Sequence, residues 1–234
     1  MTLWLLLAME FAIIVYAGSR PNSHTILGAG VFVNMVLIVL FAPYLIEVGG
    51  LVTNIGTVFY ASVVASMCVV IERFGPRVAK DAIPNTYIRL LIIFAACYAI
   101  SLLPVVDGNE GFAAAAKIIS RHNLIIVTAS FAAFALSQIV LVIAYPKLRA
   151  HYGPAAAVAI GTVLCQAVDS PVFFGVAFYN QCPYSYMTLA VTGFLVKVLF
   201  GAVLYPAVLL AVHLGSVPER SHRPGLSKSV SAGR

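Results

Sequence analysis

Residues 155–179 read AAAVAIGTVLCQAVDSPVFFGVAFY, an apolar run that carries one charged side chain, Asp169. A membrane helix needs about 20 apolar residues to cross roughly 30 Å of hydrocarbon, and this run is long enough. A carboxylate at the centre of such a helix costs about 2.5–3.5 kcal/mol on insertion scales, so it normally faces a protein interior or a wet cavity. Helical spacing places four further side chains on the face of Asp169: Thr162, Gln166, Ser170 and Phe173. This face predicts the wall of a polar pocket inside a helical bundle.

The composition of the whole chain indicates a membrane protein. Of its 234 residues, 62% are hydrophobic and only 9% are charged, whereas a soluble domain has about 25% charged residues. The net charge of +6 comes from basic residues between apolar segments and at the C-terminal end, where they set membrane orientation, so it does not predict nucleic-acid binding. The four Cys have no metal-ligand spacing, which favours neither a metal site nor disulfides.

Seven apolar segments are long enough to span a bilayer. They are residues 2–19, 26–46, 52–71, 85–104, 122–146, 155–179 and 186–213. The sequence therefore predicts an all-α integral membrane protein, a polytopic bundle of about seven transmembrane helices. We expect residues 1–215 to form a single transmembrane domain and residues 216–234 to form a basic, disordered cytoplasmic tail.

The distribution of Lys and Arg predicts the orientation of the chain in the membrane. Alternate connections carry the basic residues: Arg20, then Arg73, Arg77 and Lys80, then Lys147 and Arg149, then Arg220, Arg223, Lys228 and Arg234. The connection after the fourth segment is the exception, since Lys117 and Arg121 accompany Asp107 and Glu110 there. This bias predicts an external N-terminus and a cytoplasmic C-terminus in the cell (inner) membrane.

Lys197 lies in the middle of the seventh segment, too far from either end to reach the interface easily. Gly193, Gly201 and Tyr205 fall on its face at intervals of four residues, and the two glycines would let another helix approach closely. We expect its companion to be Asp169 on the preceding helix. Two interpretations stay open: an ion pair that only fixes helix packing, or a group that takes part in substrate binding or ion coupling.

Other polar side chains interrupt the apolar segments. They include Glu10 and Asn34 in the first two segments, Tyr60 in the third with Glu72 at its cytoplasmic end, and Ser130, Ser137 and Gln138 in the fifth. Glu72, next to Arg73, fits either a solvated charge at a helix end or a ligand-binding group, and Glu10 has no evident partner. The sequence contains no Gly-x-Ser-x-Gly, phosphate loop, Cys-x-x-Cys or pair of His at helical spacing. A bundle with a polar pocket and no catalytic motif predicts a transporter, not an enzyme, with no cofactor.

Three stretches and one further position match the pattern of a known family. The first is Gly56-Thr57-Val58-Phe59-Tyr60 with Glu72-Arg73-Phe74-Gly75, and the second is Ala129-Ser130 with Ser137-Gln138. The third is Gln166-Ala167-Val168-Asp169-Ser170 with Phe173, Ala177-Phe178, Lys197 and Pro206. The single further position is Asn34. Together they resemble the YhhQ or vitamin uptake transporter family of queuosine-precursor transporters over residues 30–213. The resemblance implies a six-helix core preceded here by an added N-terminal helix. Ala61 replaces the usual Pro, and Cys68 and Leu141 stand where the family has Asp.

The resemblance implies import of a 7-deazaguanine, such as 7-cyano- or 7-aminomethyl-7-deazaguanine. A carboxylate can accept the adjacent N–H groups of a guanine-like edge, a glutamine amide can pair with its O6, and aromatic rings can stack on its plane. The predicted substrate-binding residues are Asp169, Gln166, Ser170, Lys197, Gln138, Glu72, Asn34, Tyr60 and Phe173. The expected partners are this purine-like molecule, the lipid bilayer and a coupling ion.

Two alternatives to a self-sufficient transporter remain. The chain could be the substrate-binding subunit of an energy-coupling-factor importer. The sequence contains no ATPase motif, so ATP-driven transport would need separate partner ATPases. It could also be a non-transporting membrane scaffold. The sequence leaves the energy source and the oligomeric state open.

Overall fold

The computed structural model describes residues 2–102, 123–179 and 184–216. The predicted tail, the basic residues Lys117 and Arg121 and the predicted external loop at 180–183 lie outside these ranges. The helices are α1 (Thr2–Gly18), α2 (Ser23–Phe41), α3 (Gly56–Phe74), α4 (Pro76–Ser101), α5 (Asn123–Ala177) and α6 (Tyr186–Ser216). Two short strands, β1 (Leu45–Val48) and β2 (Leu51–Asn54), lie between α2 and α3.

Helix α5 consists of two arms, because Gly153 has φ 80° and ψ 173° and interrupts the helical backbone just before Pro154. We call residues 123–152 the first arm and residues 154–177 the second arm. The apolar part of α5 is 53 residues long, enough for two membrane crossings at about 1.5 Å per residue. With the arms counted separately, the described helices match the seven predicted segments in order. The prediction of an all-α membrane bundle is confirmed, with α1 the shortest member at 17 residues.

The connection between α2 and α3 differs from the sequence prediction. Residues up to 46 and from 52 were expected to be helical, but α2 ends at Phe41 and an antiparallel hairpin precedes α3. Gly49 and Gly50 have φ of 59° and 83°, which suits a two-residue hairpin turn. Short apolar runs fit a strand and a buried helix equally well, so hydropathy could not separate the two.

Helix α4 also begins earlier than predicted, at Pro76 and not at residue 85. Proline suits the first turn of a helix because its missing N–H would have no helical partner there. The charged residues that follow made this stretch resemble a loop in the hydropathy pattern, although they form the polar first turns of α4.

Helix α3 is the centre of the bundle, since every residue from Gly56 to Ile71 is buried. It packs mainly on α2 and α6, and α6 also packs on α1 and on α5. The two glycines predicted for close approach lie where α6 meets the second arm of α5. A Cβ at Gly201 would lie 2.9 Å from Cγ2 of Thr162, and a Cβ at Gly193 would overlap the ring of Phe174.

Arg73 joins several helix ends on one side of the bundle. Its Nη1 donates to the carbonyl oxygens of Gly18 and Arg20 and to Oγ of Ser23, and its Nη2 donates to the carbonyl oxygen of Gly215 at 2.9 Å. The last carbonyls of a helix have no partner within the helix, so a guanidinium there satisfies acceptors of both α1 and α6. The ends of α1, α3 and α6 therefore lie together.

Candidate functional site

Asp169 on the second arm of α5 and Lys197 on α6 form a buried ion pair, which confirms the predicted contact. Nζ of Lys197 donates to Oδ2 of Asp169, and the two side chains are only 3% and 4% exposed, respectively. Nζ also lies 3.4 Å from Oγ of Ser170. Burying both charges is expensive unless further groups compensate them, so their surroundings determine what this pair can do.

Three aromatic rings surround the ammonium group of Lys197. Their centroids lie 5.0 Å from Nζ for Tyr60, 5.7 Å for Phe173 and 5.4 Å for Phe174. The negative face of an aromatic ring attracts a cation at this range, so the rings partly replace the lost hydration. Sequence reasoning identified Tyr60 and Phe173 but missed Phe174. The signal for Phe174 was Gly193, which leaves room on α6 for its ring.

The ion pair lies in the wall of a cavity at the centre of the bundle. The cavity is small, with room for about one water molecule, and is lined by Met35, Ile38, Asn54, Gly56, Tyr60, Ser130, Asp169, Phe173 and Lys197. Its walls therefore come from α2, the end of β2, α3, both arms of α5 and α6. Asn54 was not predicted, because the sequence placed it inside a helix and not at the end of a hairpin.

Buried polar atoms without a hydrogen-bond partner lie near this cavity. Within the described ranges they include Oγ of Ser130, Oε1 of Gln138 and both amide atoms of Gln166. A buried polar group left unsatisfied costs about 1–3 kcal/mol, and a bound ligand is one way to supply the missing partner. All three side chains were singled out in the sequence. Ser130 lines the cavity, whereas Gln138 and Gln166 are buried beside it and, like Ser170, are not among its lining residues.

The two arms of α5 meet α3 through a row of neutral polar groups. Oη of Tyr60 hydrogen-bonds to Oγ of Ser137 and lies 3.8 Å from Sγ of Cys165. Nε2 of Gln138 lies 3.6 Å from the same sulfur. The two arms therefore face each other at this level.

Two predicted site residues lie elsewhere. Nδ2 of Asn34 donates to Oε2 of Glu10 at 3.2 Å, and Oγ of Ser62 donates to the same oxygen. The expectation that Glu10 has no evident partner is therefore wrong: its partners come from two other helices, which no local pattern reveals. Asn34 is not among the residues that line the cavity.

Glu72 lies at the end of α3 and is likewise not among the lining residues. Its carboxylate accepts hydrogen bonds from Nε of Arg149 at 2.8 Å and from Oη of Tyr145 at 3.2 Å. The hydrogen bond to the Glu72 carboxylate raises the pKa of the Arg149 guanidinium. This pair connects α3 to the first arm of α5 at the same side of the bundle as Arg73.

A family model described as "Putative vitamin uptake transporter" matches residues 54–211, more than half of the chain. The chain belongs to this family. The match includes the Asp169–Lys197 pair and the aromatic rings around it, whereas Glu10 and Asn34 precede it. Searches among curated proteins and solved structures gave no match. As a member of the vitamin uptake transporter family with several apolar helices, the protein is a multi-pass membrane protein whose family points to transport, not to enzymatic catalysis.

Proposed function

We propose that this protein imports a 7-deazaguanine, 7-cyano- or 7-aminomethyl-7-deazaguanine, as a precursor of queuosine. The observation that carries the proposal is the buried Asp169–Lys197 pair, enclosed by aromatic rings and close to a glutamine, Gln166, with no partner for its amide. Such a site combines charge, unused amide groups and flat apolar surfaces, which are the groups that recognise a purine-like ring.

Each part of the substrate has a counterpart among these side chains. The carboxylate of Asp169 can accept the adjacent N–H donors of the guanine-like edge, in the bidentate manner that carboxylates favour. The amide of Gln166 can donate to O6, and Ser170 and Gln138 supply further hydrogen bonds. The ring of Phe173 or Tyr60 can stack on the plane of the base. The contacts of Asn34 and Glu72 lie outside the cavity, so they do not support a direct role in binding.

Substrate binding would compete with the ion pair. The purine edge takes the place of Lys197 on Asp169, while Lys197 keeps its aromatic surroundings and can turn to the O6 or N7 side of the base. The space between the side chains is narrow, with room for about one water molecule, so the helices must separate to admit a purine. Pro171, two residues after Asp169, cannot donate to the carbonyl of Ala167, and this weak point gives the second arm a place to bend.

The position of the site suits alternating access. Asp169 lies eight residues before the end of α5 at Ala177, about 12 Å at 1.5 Å per residue and therefore deep in the bilayer. Transporters commonly hold their substrate near the midplane, where rocking of helices exposes it to either side. We place the protein in the inner membrane with the basic helix ends around Arg73 in the cytoplasm.

Uptake of labelled 7-cyano-7-deazaguanine tests the proposal. Cells that lack both their own synthesis of the precursor and their own transporter should accumulate the label when they express this chain, and cells with an empty vector should not. An absence of accumulation despite normal membrane insertion would contradict the proposed substrate.

A second experiment separates a self-sufficient transporter from a subunit of an ATP-driven importer. The purified chain alone, reconstituted into lipid vesicles, should exchange labelled for unlabelled precursor without ATP. Uptake in cells combined with no exchange in vesicles would show that partner proteins are required.

A further inference from the structure

Glu10 is a buried carboxylate in the middle of α1, outside the residues matched by the family model. We propose that Glu10 is the proton-binding site that couples transport to a proton gradient. This inference rests on the proposed transport function but concerns a different cluster, formed by Glu10, Asn34 and Ser62 from three helices.

The surroundings of Glu10 are polar but carry no compensating positive charge. The residue is 8% exposed, and its Oε2 accepts hydrogen bonds from the amide of Asn34 and the hydroxyl of Ser62. In the part of the chain that the structure describes, no Lys, Arg or His forms an ion pair with it, whereas Asp169 has Lys197. An unpaired charge at this depth costs about 2.5–3.5 kcal/mol on insertion scales, so neutralisation by a cation would be favourable.

The other charged and titratable groups of the neighbouring helices do not offer such neutralisation. Helix α1 packs mainly on α2, α3 and α6. Their groups are His24 on α2, Tyr60, Cys68, Glu72 and Arg73 on α3, and Tyr186, Lys197, Tyr205 and His213 on α6. The one buried cation among them, Lys197, is held by Asp169. His24, Arg73 and His213 belong to the ends of their helices, more than one turn from the level of Glu10.

A proton fits this cluster better than a metal ion. A hard metal ion needs a shell of six or more oxygen ligands, whereas this cluster offers one carboxylate, one side-chain amide and one hydroxyl. No group of three or more His, Cys, Asp or Glu side chains suited to a metal occurs among the described residues. A proton requires one carboxylate oxygen and no shell. On one side of the membrane Glu10 takes a proton from water and becomes a neutral acid, and on the other side it returns that proton to water.

The same helices form both this cluster and the substrate cavity. Ser62 lies two residues after Tyr60 on α3, so their side chains point to opposite faces of one helix. On α2, Asn34 bonds to Glu10 while its neighbour Met35 lines the cavity. Any movement of α2 or α3 that opens the cavity therefore also changes the donors around Glu10. Protonation and substrate binding then bias one shared helix movement, which is the physical requirement for coupling.

Transport by vesicles with and without a pH gradient tests the inference. With the lumen more alkaline than the outside, the wild-type protein should accumulate labelled 7-cyano-7-deazaguanine above the level reached without a gradient. Glu10→Gln keeps the shape and the acceptor oxygen but cannot exchange a proton. It should keep exchange of labelled for unlabelled precursor and lose the gradient-driven accumulation, falling to the level without a gradient.

Two further variants serve as controls for Glu10→Gln. Glu47→Gln changes an exposed carboxylate on the hairpin and should accumulate precursor like the wild type. Glu10→Asp retains the acid and should retain gradient-driven accumulation, which also covers the case in which Glu10→Gln fails to fold. Gradient-driven accumulation by Glu10→Gln, or accumulation that follows a sodium gradient and ignores pH, would overturn the proposal.

A substrate-free measurement distinguishes failure of this inference from failure of the proposed substrate. Infrared spectra of the purified wild-type protein, recorded as the pH is lowered, should contain a carboxylic-acid band that Glu10→Gln lacks and Glu47→Gln keeps. If the vesicles show no precursor exchange but this band is present, the substrate is wrong and the proton site stands. Identical spectra for the wild type and Glu10→Gln at every pH would refute the proton site.

Discussion

At the scale of single residues, the charge on Asp169 is the property that the substrate is proposed to recognise. Asp169→Asn preserves the shape but removes the second acceptor and the attraction to Lys197, so it should abolish or strongly reduce precursor uptake. Asp81→Asn makes the same change at an exposed position on α4 and should leave uptake intact. Labelled uptake at equal membrane expression measures both, and wild-type uptake by Asp169→Asn would exclude Asp169 as the binding carboxylate.

The ion pair also predicts an order of stabilities among its variants. Lys197→Met leaves the carboxylate of Asp169 buried without a cation, and removing one partner of a buried pair typically costs about 3–5 kcal/mol. The double variant with Asp169→Asn removes both charges and should be less destabilised. Thermal unfolding in detergent should therefore give the lowest midpoint for Lys197→Met alone. A double variant no more stable than Lys197→Met would show that the charges do not interact in this way.

The sequence predicted which candidate side chains share one helix face, but not the contacts that depend on how helices are rotated against each other. Asp169, Gln166 and Ser170 follow from helical spacing, and Lys197 follows because a second buried charge needs a partner. The partners of Glu10 lie on α2 and α3, and their meeting depends on the rotation of three helices. No periodicity within one segment contains that information.

At the scale of elements, the approach of α6 to the second arm of α5 controls the geometry of the site. Gly193→Ala would place a methyl group into the ring of Phe174, and overpacking of this kind costs about 1–3 kcal/mol. The ring must move, and it lies against Lys197. We expect a lower unfolding midpoint in detergent together with weaker precursor uptake.

Gly175→Ala is the matched control for that substitution. Gly175 follows Phe174 on the second arm of α5, but a Cβ there would meet no atom within 4 Å, so stability and uptake should stay near wild type. Equal effects of the two substitutions would show that the contact with Phe174 is not what makes Gly193 important.

The helices themselves were predictable because about 20 apolar residues can cross a bilayer as a helix with all backbone groups satisfied. The hairpin was not predictable in the same way, although Gly49-Gly50 interrupts the apolar pattern of the sequence. Its role depends on contacts with distant elements: Oγ1 of Thr192 on α6 donates to the carbonyl oxygen of Val52, and Asn54 reaches the cavity. A β-pair of eight strand residues gains its stability from such packing and not from its own propensity.

At the scale of the whole molecule, the structure collects basic helix ends on one side of the bundle. Arg73 bonds to the end of α1, the start of α2 and the end of α6, and Glu72 binds Arg149 at the end of the first arm of α5. The hairpin lies at the opposite ends of α2 and α3. Positive residues favour the cytoplasmic side of a membrane, so this arrangement predicts a cytoplasmic Arg73 side and an external hairpin.

Single cysteines at the two sides test this orientation. In a background without native Cys, Glu47→Cys on the hairpin should react with a membrane-impermeant thiol reagent in intact cells, because Glu47 is exposed and on the predicted external side. Lys80→Cys, exposed at the start of α4, should react only after lysis. The reverse pattern would place the basic side outside. Glu10 lies at the middle of α1, so its depth would be unchanged, and the proposed direction of import, which the proton gradient sets, would be unchanged as well.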